Sequence, residues 1–245
     1  MATPEIVTTA PANQPSVMED IIEIFYAPSQ VFARRRDNPR FWGAFLILSI
    51  LFALGVWVMM KNLSSVMDAQ FARQSAEMLR KNPQLTQEQL DRGRRFGQAI
   101  APFAGIIGAV ISTLILGVAV WLVGKMFDSK ADVKQGVMIA TFASFPKIID
   151  LLLVAILALT VGNGNITSMA AAGPSLARLA PADSTPLLLG VLSRFSIGII
   201  WATILIAIGL HVVGRIAKGR AYAAAIVLWV LGTAMTVLGA LRGGG

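Results

Sequence analysis

The sequence predicts an all-α, polytopic membrane protein with five transmembrane helices, an amphipathic N-terminal segment and an outer helical hairpin. Three observations carry that prediction. The 245 residues are 56% hydrophobic and 14% charged, with a mean hydropathy of +0.69, too apolar for a domain that must show water a polar shell. Five long apolar runs recur along the chain, each able as a helix to cross the ~30 Å hydrocarbon core of a bilayer. The charged residues gather beside those runs, where lipid phosphates and the positive-inside rule account for a net charge of +8 and a pI near 10.4. Anionic membrane lipids on the cytoplasmic face are therefore the expected partners, and nucleic acid is not. The chain contains no cysteine, which excludes disulfides, thiolate nucleophiles and thiolate metal sites.

Residues 1–16, MATPEIVTTAPANQPS, are small, proline-containing and aperiodic, and predict a disordered tail. With no Lys or Arg before Arg34 and no long apolar run before Phe41, this start lacks both marks of a signal peptide. Residues 17–40 set Ile21, Ile22, Ile24, Phe25 and Phe32 against Glu19, Asp20, Glu23 and the cluster Arg34, Arg35, Arg36. That pattern predicts a cytoplasmic, interfacial amphipathic segment broken near Pro28. Residues 41–241 form the membrane domain, with spans at Phe41–Met60, Ala99–Phe127, Val137–Val161, Phe195–Val213 (with an apolar lead-in from Leu187) and Ala221–Leu241.

An odd number of crossings puts the N-terminal arm, the link between spans two and three, and the link between spans four and five on one face. Arg34, Arg35, Arg36 and Arg40, then Lys125, Lys130 and Lys134, then Arg215, Lys218 and Arg220 lie there. Short links so rich in cations are hard to translocate, so this face is read as cytoplasmic and the C-terminus as opposite, although the first outer loop also carries many basic residues. A bacterial inner membrane is the expected location, or an early secretory membrane if the source is eukaryotic. In the first outer loop Leu63, Met67, Phe71 and Met78 recur near helical spacing, and Asn82-Pro83 ends that helix. Thr86 with Gln89 opens a second helix through Phe96 as a capping box. The second outer loop, 163–186, reads as irregular, with Asn165-Ile166-Thr167 matching a three-residue glycosylation acceptor. Small residues four apart, Ala101, Gly105 and Ala109 in span two and Gly198 and Ala202 in span four, suit close helix contacts.

The candidate site is an intramembrane polar cluster of Pro146, Lys147, Asp150 and Arg194. Lys147 falls about 15 Å into its span, near the midplane, where a charge costs on the order of 3 kcal/mol. Asp150, three residues on, is a helical neighbour able to neutralise it, and Pro146 would kink the span and free a carbonyl one turn back. Two readings stand: a proton, ion or ligand site, or a structural pair that fixes the kink. Arg194 can reach inward toward Asp150 or snorkel to headgroups, the latter being the usual course for a residue near a span end. The candidate anionic-lipid contacts are Arg34, Arg35, Arg36, Arg40, Arg215, Lys218 and Arg220. His211, the one histidine, has no acid or thiolate near it in sequence and reads as an interfacial polar residue. The chain shows no zinc-binding His-Glu-x-x-His, no Gly-x-Ser-x-Gly elbow and no phosphate-cradling loop. Catalytic residues, metal ligands and cofactors are accordingly not expected.

Four stretches, in this order, resemble the Yip1 family of multi-span membrane proteins, and its bacterial members most. They are the lead-in YAPSQVFARRRDNPRFW, the outer LTQEQLDRG, the proline-containing TFASFPKIIDLLL, and the terminal FSIGIIWATILIAIGLHVVGRIAKGRAYAAAIVLWVL; the resemblance covers about residues 18–241. It implies a five-span protein with a cytosolic N-terminus, and in eukaryotic members an association with vesicle traffic and prenylated Rab GTPases. The Asp-Leu-Tyr-Gly-Pro-Phe-Trp motif of those members is absent, with only Phe41-Trp42-Gly43 near its place, so a Rab partner is not implied. The expected function is a non-enzymatic scaffold or adaptor in membrane organisation or trafficking, with an unidentified protein partner. The alternative is a small transporter or channel centred on Lys147 and Asp150, for which homo-oligomerisation, left open here, would supply the symmetry that five spans lack.

Overall fold

The structure is a computed structural model that describes residues 16–161, 172–181 and 184–243. The expected tail and the Asn165 acceptor lie outside the described residues, apart from Ser16. Among the described residues the chain is helical throughout, with a single isolated β-bridge, Ser175 to Ser196. The arm is two helices, α1 (Val17–Glu23) and α2 (Pro28–Arg36), separated as expected at Pro28, which begins α2 where its missing N–H costs nothing.

Four helical stretches are long and apolar enough to cross a membrane: Trp42–Asn62, Phe103–Met126, Val133–Leu157 and Lys218–Gly239. They belong to α3 (Trp42–Asn62), α5 (Gln87–Met126), the pair α6 (Val133–Ala143) and α7 (Pro146–Val161), and α10 (Lys218–Gly243). The remaining expected span is divided into α8 (Pro186–Ser193) and α9 (Ile197–Val212). The 16 residues of α9 rise only about 24 Å, so α8 is needed to complete a crossing. Two expected spans are thus interrupted and three are continuous.

The outer hairpin departs from expectation in one arm. Its first helix, α4 (Ser64–Lys81), stops at Asn82 as read, and Thr86 and Gln89 form the capping box. The second does not stop at Phe96 but runs into span two as the 40-residue α5, about 60 Å long and twice the bilayer core. Gly97 weakens that junction by only about 1 kcal/mol, and the helix continues through Pro102 as well, so neither residue ends it. An Arg94–Asp68 ion pair and the Arg94 guanidinium 5.1 Å from the Phe71 ring join α4 to α5.

Packing is unequal along the bundle axis. At the end that carries the arm, α6, buried from Gly136 to Ala143, is surrounded by α3, α5 and α9. Ile24, Val31 and Phe32 of the arm join its core, and Phe32 is completely buried against α9 near Gly209 and Ile139. Gly117 of α5 and Gly136 of α6 cross so closely that a Cβ on Gly117 would lie 2.6 Å from the Val137 Cα. The opposite half is held by a much smaller cluster of Leu63, Val66 and Ala172 among the described residues. The α5–α6 and α9–α10 links lock together through Lys130 N–H to Gly214 O (2.9 Å) and Arg220 to Asp128 (2.7 Å).

Candidate functional site at the meeting of two helix breaks

Proline decides the first break. With no N–H of its own and a restricted residue before it, Pro146 interrupts the span where the sequence suggested: regular helix lapses at Ser144 and Phe145, and α7 begins at Pro146. Phe145 N–H bonds to Phe142 O, Lys147 N–H to Ser144 O and Ile148 N–H to Phe145 O, so shorter-range bonds satisfy the backbone through the gap. Ser144 Oγ also donates to Ala140 O at 2.8 Å. Irregular backbone at membrane depth survives only where such partners, or neighbouring protein, replace the missing ladder.

The second break, Arg194 to Ser196, faces the first. Ser196 caps α9 by accepting from Ile199 N–H, and Asp150 Oδ1 of α7 accepts from Gly198 N–H at 3.0 Å. A Cβ on Gly198 would stand 2.6 Å from Asp150 Oδ2 and 2.7 Å from Pro146 O, so only glycine permits this approach. Asp150 was expected to neutralise Lys147. Its carboxylate instead serves the positive end of α9, a contact worth up to about 2 kcal/mol when partly buried. Among the described residues no Lys147–Asp150 ion pair forms. Changing Gly198 to alanine is expected to cost about 1–3 kcal/mol by forcing the two breaks apart; thermal unfolding in detergent would measure it, and an unchanged midpoint would mean that α7 and α9 part without cost.

Arg194 does not snorkel outward. Its Nη2 packs on α10, where a Cβ on Gly232 would lie 2.8 Å away, and its carbonyl accepts from Trp229 Nε1 at 3.4 Å. The guanidinium Nε is buried without a hydrogen-bond partner. Gly232 is about 15 Å along α10 from Tyr222, near half the hydrocarbon depth. Lys147 is half-buried and directly follows Pro146, whose carbonyl lies against Gly198 four residues after Arg194. The two breaks are therefore flanked by two cations and one acid, and the acid is already bonded to α9. Phe195 and Trp229, edge to face at 5.1 Å, close one end of an apolar groove of about 310 Å³ between α9 and α10.

The seven candidate lipid contacts are placed unequally. Asp20, 1% exposed, is clamped by Arg34 at 2.6 Å and by Arg35 Nε at 2.6 Å. Glu23 also binds Arg34, and that bond pushes the Arg34 guanidinium still further up from its ordinary value. Arg36 pairs with the adjacent Asp37 at 3.3 Å and Arg220 with Asp128. Arg40, Arg215 and Lys218 show no ion pair among the described residues, and Arg215 sits in the left-handed region at φ 55°. Gln135 Nε2 donates to Arg36 O at 2.8 Å, tying the arm to α6. His211 Nδ1 lies 2.7 Å from Ile216 O and steadies the turn after α9.

Comparison with known proteins places these features in a lineage. A family model described as the Yip1 domain matches residues 22–239. The chain belongs to the Yip1 family. "Membrane protein YknW" of Bacillus subtilis (strain 168) is 27% identical over 206 residues, covering 84% of this chain and 83% of that protein. No solved structure matches. The matched region takes in both breaks and most of the arm, so the polar cluster lies within the Yip1 domain itself. Sequence reasoning identified its ionisable members and named Gly198 as a close-contact residue, but missed Gly232 and the buried role of Asp20. Ser196 followed by Gly198 after a Phe-Ser boundary was the available sign of a helix start.

Proposed function

We propose that this Yip1 protein is a non-enzymatic scaffold or adaptor of a bacterial inner membrane, with its arm in the cytoplasm. One observation supports it above the rest. Met18, Ile22 and Tyr26 are 57%, 60% and 73% exposed on an arm otherwise clamped to the bundle, which leaves an apolar stripe held in a fixed orientation. A rigid stripe beside the membrane suits docking of a partner or of the lipid interface, because little ordering entropy remains to be lost. A photo-crosslinking residue at Ile22 in living cells tests this: a discrete protein adduct is expected, lost when Tyr26 becomes Glu. Lipid adducts alone would leave the adaptor without a partner and overturn it.

A second reading, a small transporter or channel, is favoured by the paired helix breaks, since interrupted helices meeting near the midplane build substrate sites in many carriers. Solute flux in proteoliposomes that disappears in Asp150→Asn would support it. Orientation has its own test. Thiol labelling of single-cysteine variants is expected to mark Ser29→Cys and Lys130→Cys only from the cytoplasm and Gln84→Cys only from outside; all three positions are exposed, whereas Ser129 is 4% exposed and unsuited. Labelling of Ser29→Cys from outside would reverse the topology.

A further inference from the structure

We propose that Lys147 and Arg194 form a mid-membrane binding site for an oxyanion, a phosphate or carboxylate group held between the ammonium and the guanidinium. The inference does not depend on the scaffold reading and can fail without it. Lys147, next to Pro146, and Arg194 flank the two apposed breaks, and the acid between them in the chain, Asp150, is engaged by Gly198 N–H at 3.0 Å. Neither cation has an ion-pair partner among the described residues. The Arg194 Nε is buried and unbonded, and α10 brings Gly232 and Trp229 to the guanidinium rather than a charge.

A buried guanidinium nitrogen without a partner, as at Arg194 Nε, is costly, and native interiors satisfy such groups. Guanidinium offers a planar fork matched to two oxygens of a phosphate or carboxylate, while ammonium adds a point charge with freely directed donors. Asp150 prevents the positive end of α9 from taking the anion, which leaves the two side chains as its ligands. The segment from Ala172 to Pro181 folds back over the second break. Its Ser175 bridges Ser196, and Leu176 N–H bonds to Phe195 O at 3.3 Å. Backbone at that depth is tolerated where it borders a protected cavity.

Such a group can arrive as a free anion or as a lipid headgroup, and two probes separate them. Inorganic phosphate is titrated against the full chain in a neutral detergent, following thermal midpoint and heat of binding. In parallel, the protein is extracted from vesicles of phosphatidylglycerol and phosphatidylcholine and its retained lipids are weighed by native mass spectrometry. Saturable binding of one probe is expected, weakened about tenfold to hundredfold in Arg194→Gln and in Lys147→Gln, as for loss of a charged hydrogen bond. Arg92→Gln, at an exposed pair with Glu88 far from the breaks, is expected to bind as the parent does.

Gly232→Ala guards against a merely unfolded variant, because alanine favours the helix while its methyl displaces the guanidinium. It should weaken binding while remaining monodisperse. Phosphate binding without lipid retention identifies a free anion, and selective retention of phosphatidylglycerol a headgroup. Binding of neither probe, or equal binding by the parent, Arg194→Gln and Lys147→Gln, overturns the proposal.

Discussion

Replacing Asp20 by alanine is expected to destabilise the protein by about 3 kcal/mol and to release the arm. Asp20 is 1% exposed and holds two guanidiniums, whereas the Arg34 side chain is 30% exposed and that of Arg35 only 12%. Removing one member of a buried ion pair typically costs about 3–5 kcal/mol because the other is left uncompensated. Arg34 can regain water, which sets the estimate at the lower end. Arg35 cannot do so without moving α2, and moving α2 withdraws Phe32 from the core. Faster trypsin cleavage after Arg34, Arg35 and Arg36, together with a lower thermal midpoint in detergent, would report the release. Asp37→Ala is the control: its carboxylate is 75% exposed, and exposed pairs contribute at most about 1 kcal/mol. If the two variants behave alike, the clamp does not hold the arm.

Replacing Gly117 by leucine is expected to cost at least about 3 kcal/mol, the upper end of ordinary overpacking. A Cβ alone would approach the Val137 Cα to 2.6 Å and its N to 3.0 Å; these are backbone atoms, which cannot rotate aside. A Cβ on Gly136 would likewise lie 2.6 Å from Gly117 O, so the helices are in close backbone contact there and α5 and α6 would have to separate to admit a side chain. Membrane helices are held by close packing rather than by exclusion of water, so separation removes the attraction directly. Gly108, with open space around its Cβ position, should accept alanine without loss. Unfolding in a denaturing detergent compares the two, and equal stability would mean that the crossing is not close.

Legibility varied with the kind of interaction. Span positions were readable because apolar length is a local property, and Phe41–Met60 became Trp42–Asn62 with little change. The break at Pro146 was half readable: the ring disfavours a continuous helix, but whether the chain bends or restarts depends on what satisfies the freed carbonyls. The outer hairpin was misread at Phe96 because its polar helix and the apolar span from Ala99 were read as separate elements, whereas one helix carries both through Gly97 and Pro102. The arm's arginines looked like lipid contacts since nothing local shows that Asp20 and Glu23 face them across a turn.

The covalent chain alone established a membrane-embedded helical protein of Yip1 type, because the length of an apolar run, the place of a proline and the adjacency of basic links need no neighbours to act. The partners of the ionisable groups were set only when the helices packed. Asp150 had an adjacent cation three residues away in Lys147 and took Gly198 N–H instead, and Arg194 turned from the headgroups toward Gly232. Charge pairing within a helix is a contest among all donors within reach, and most of those donors arrive from distant parts of the chain.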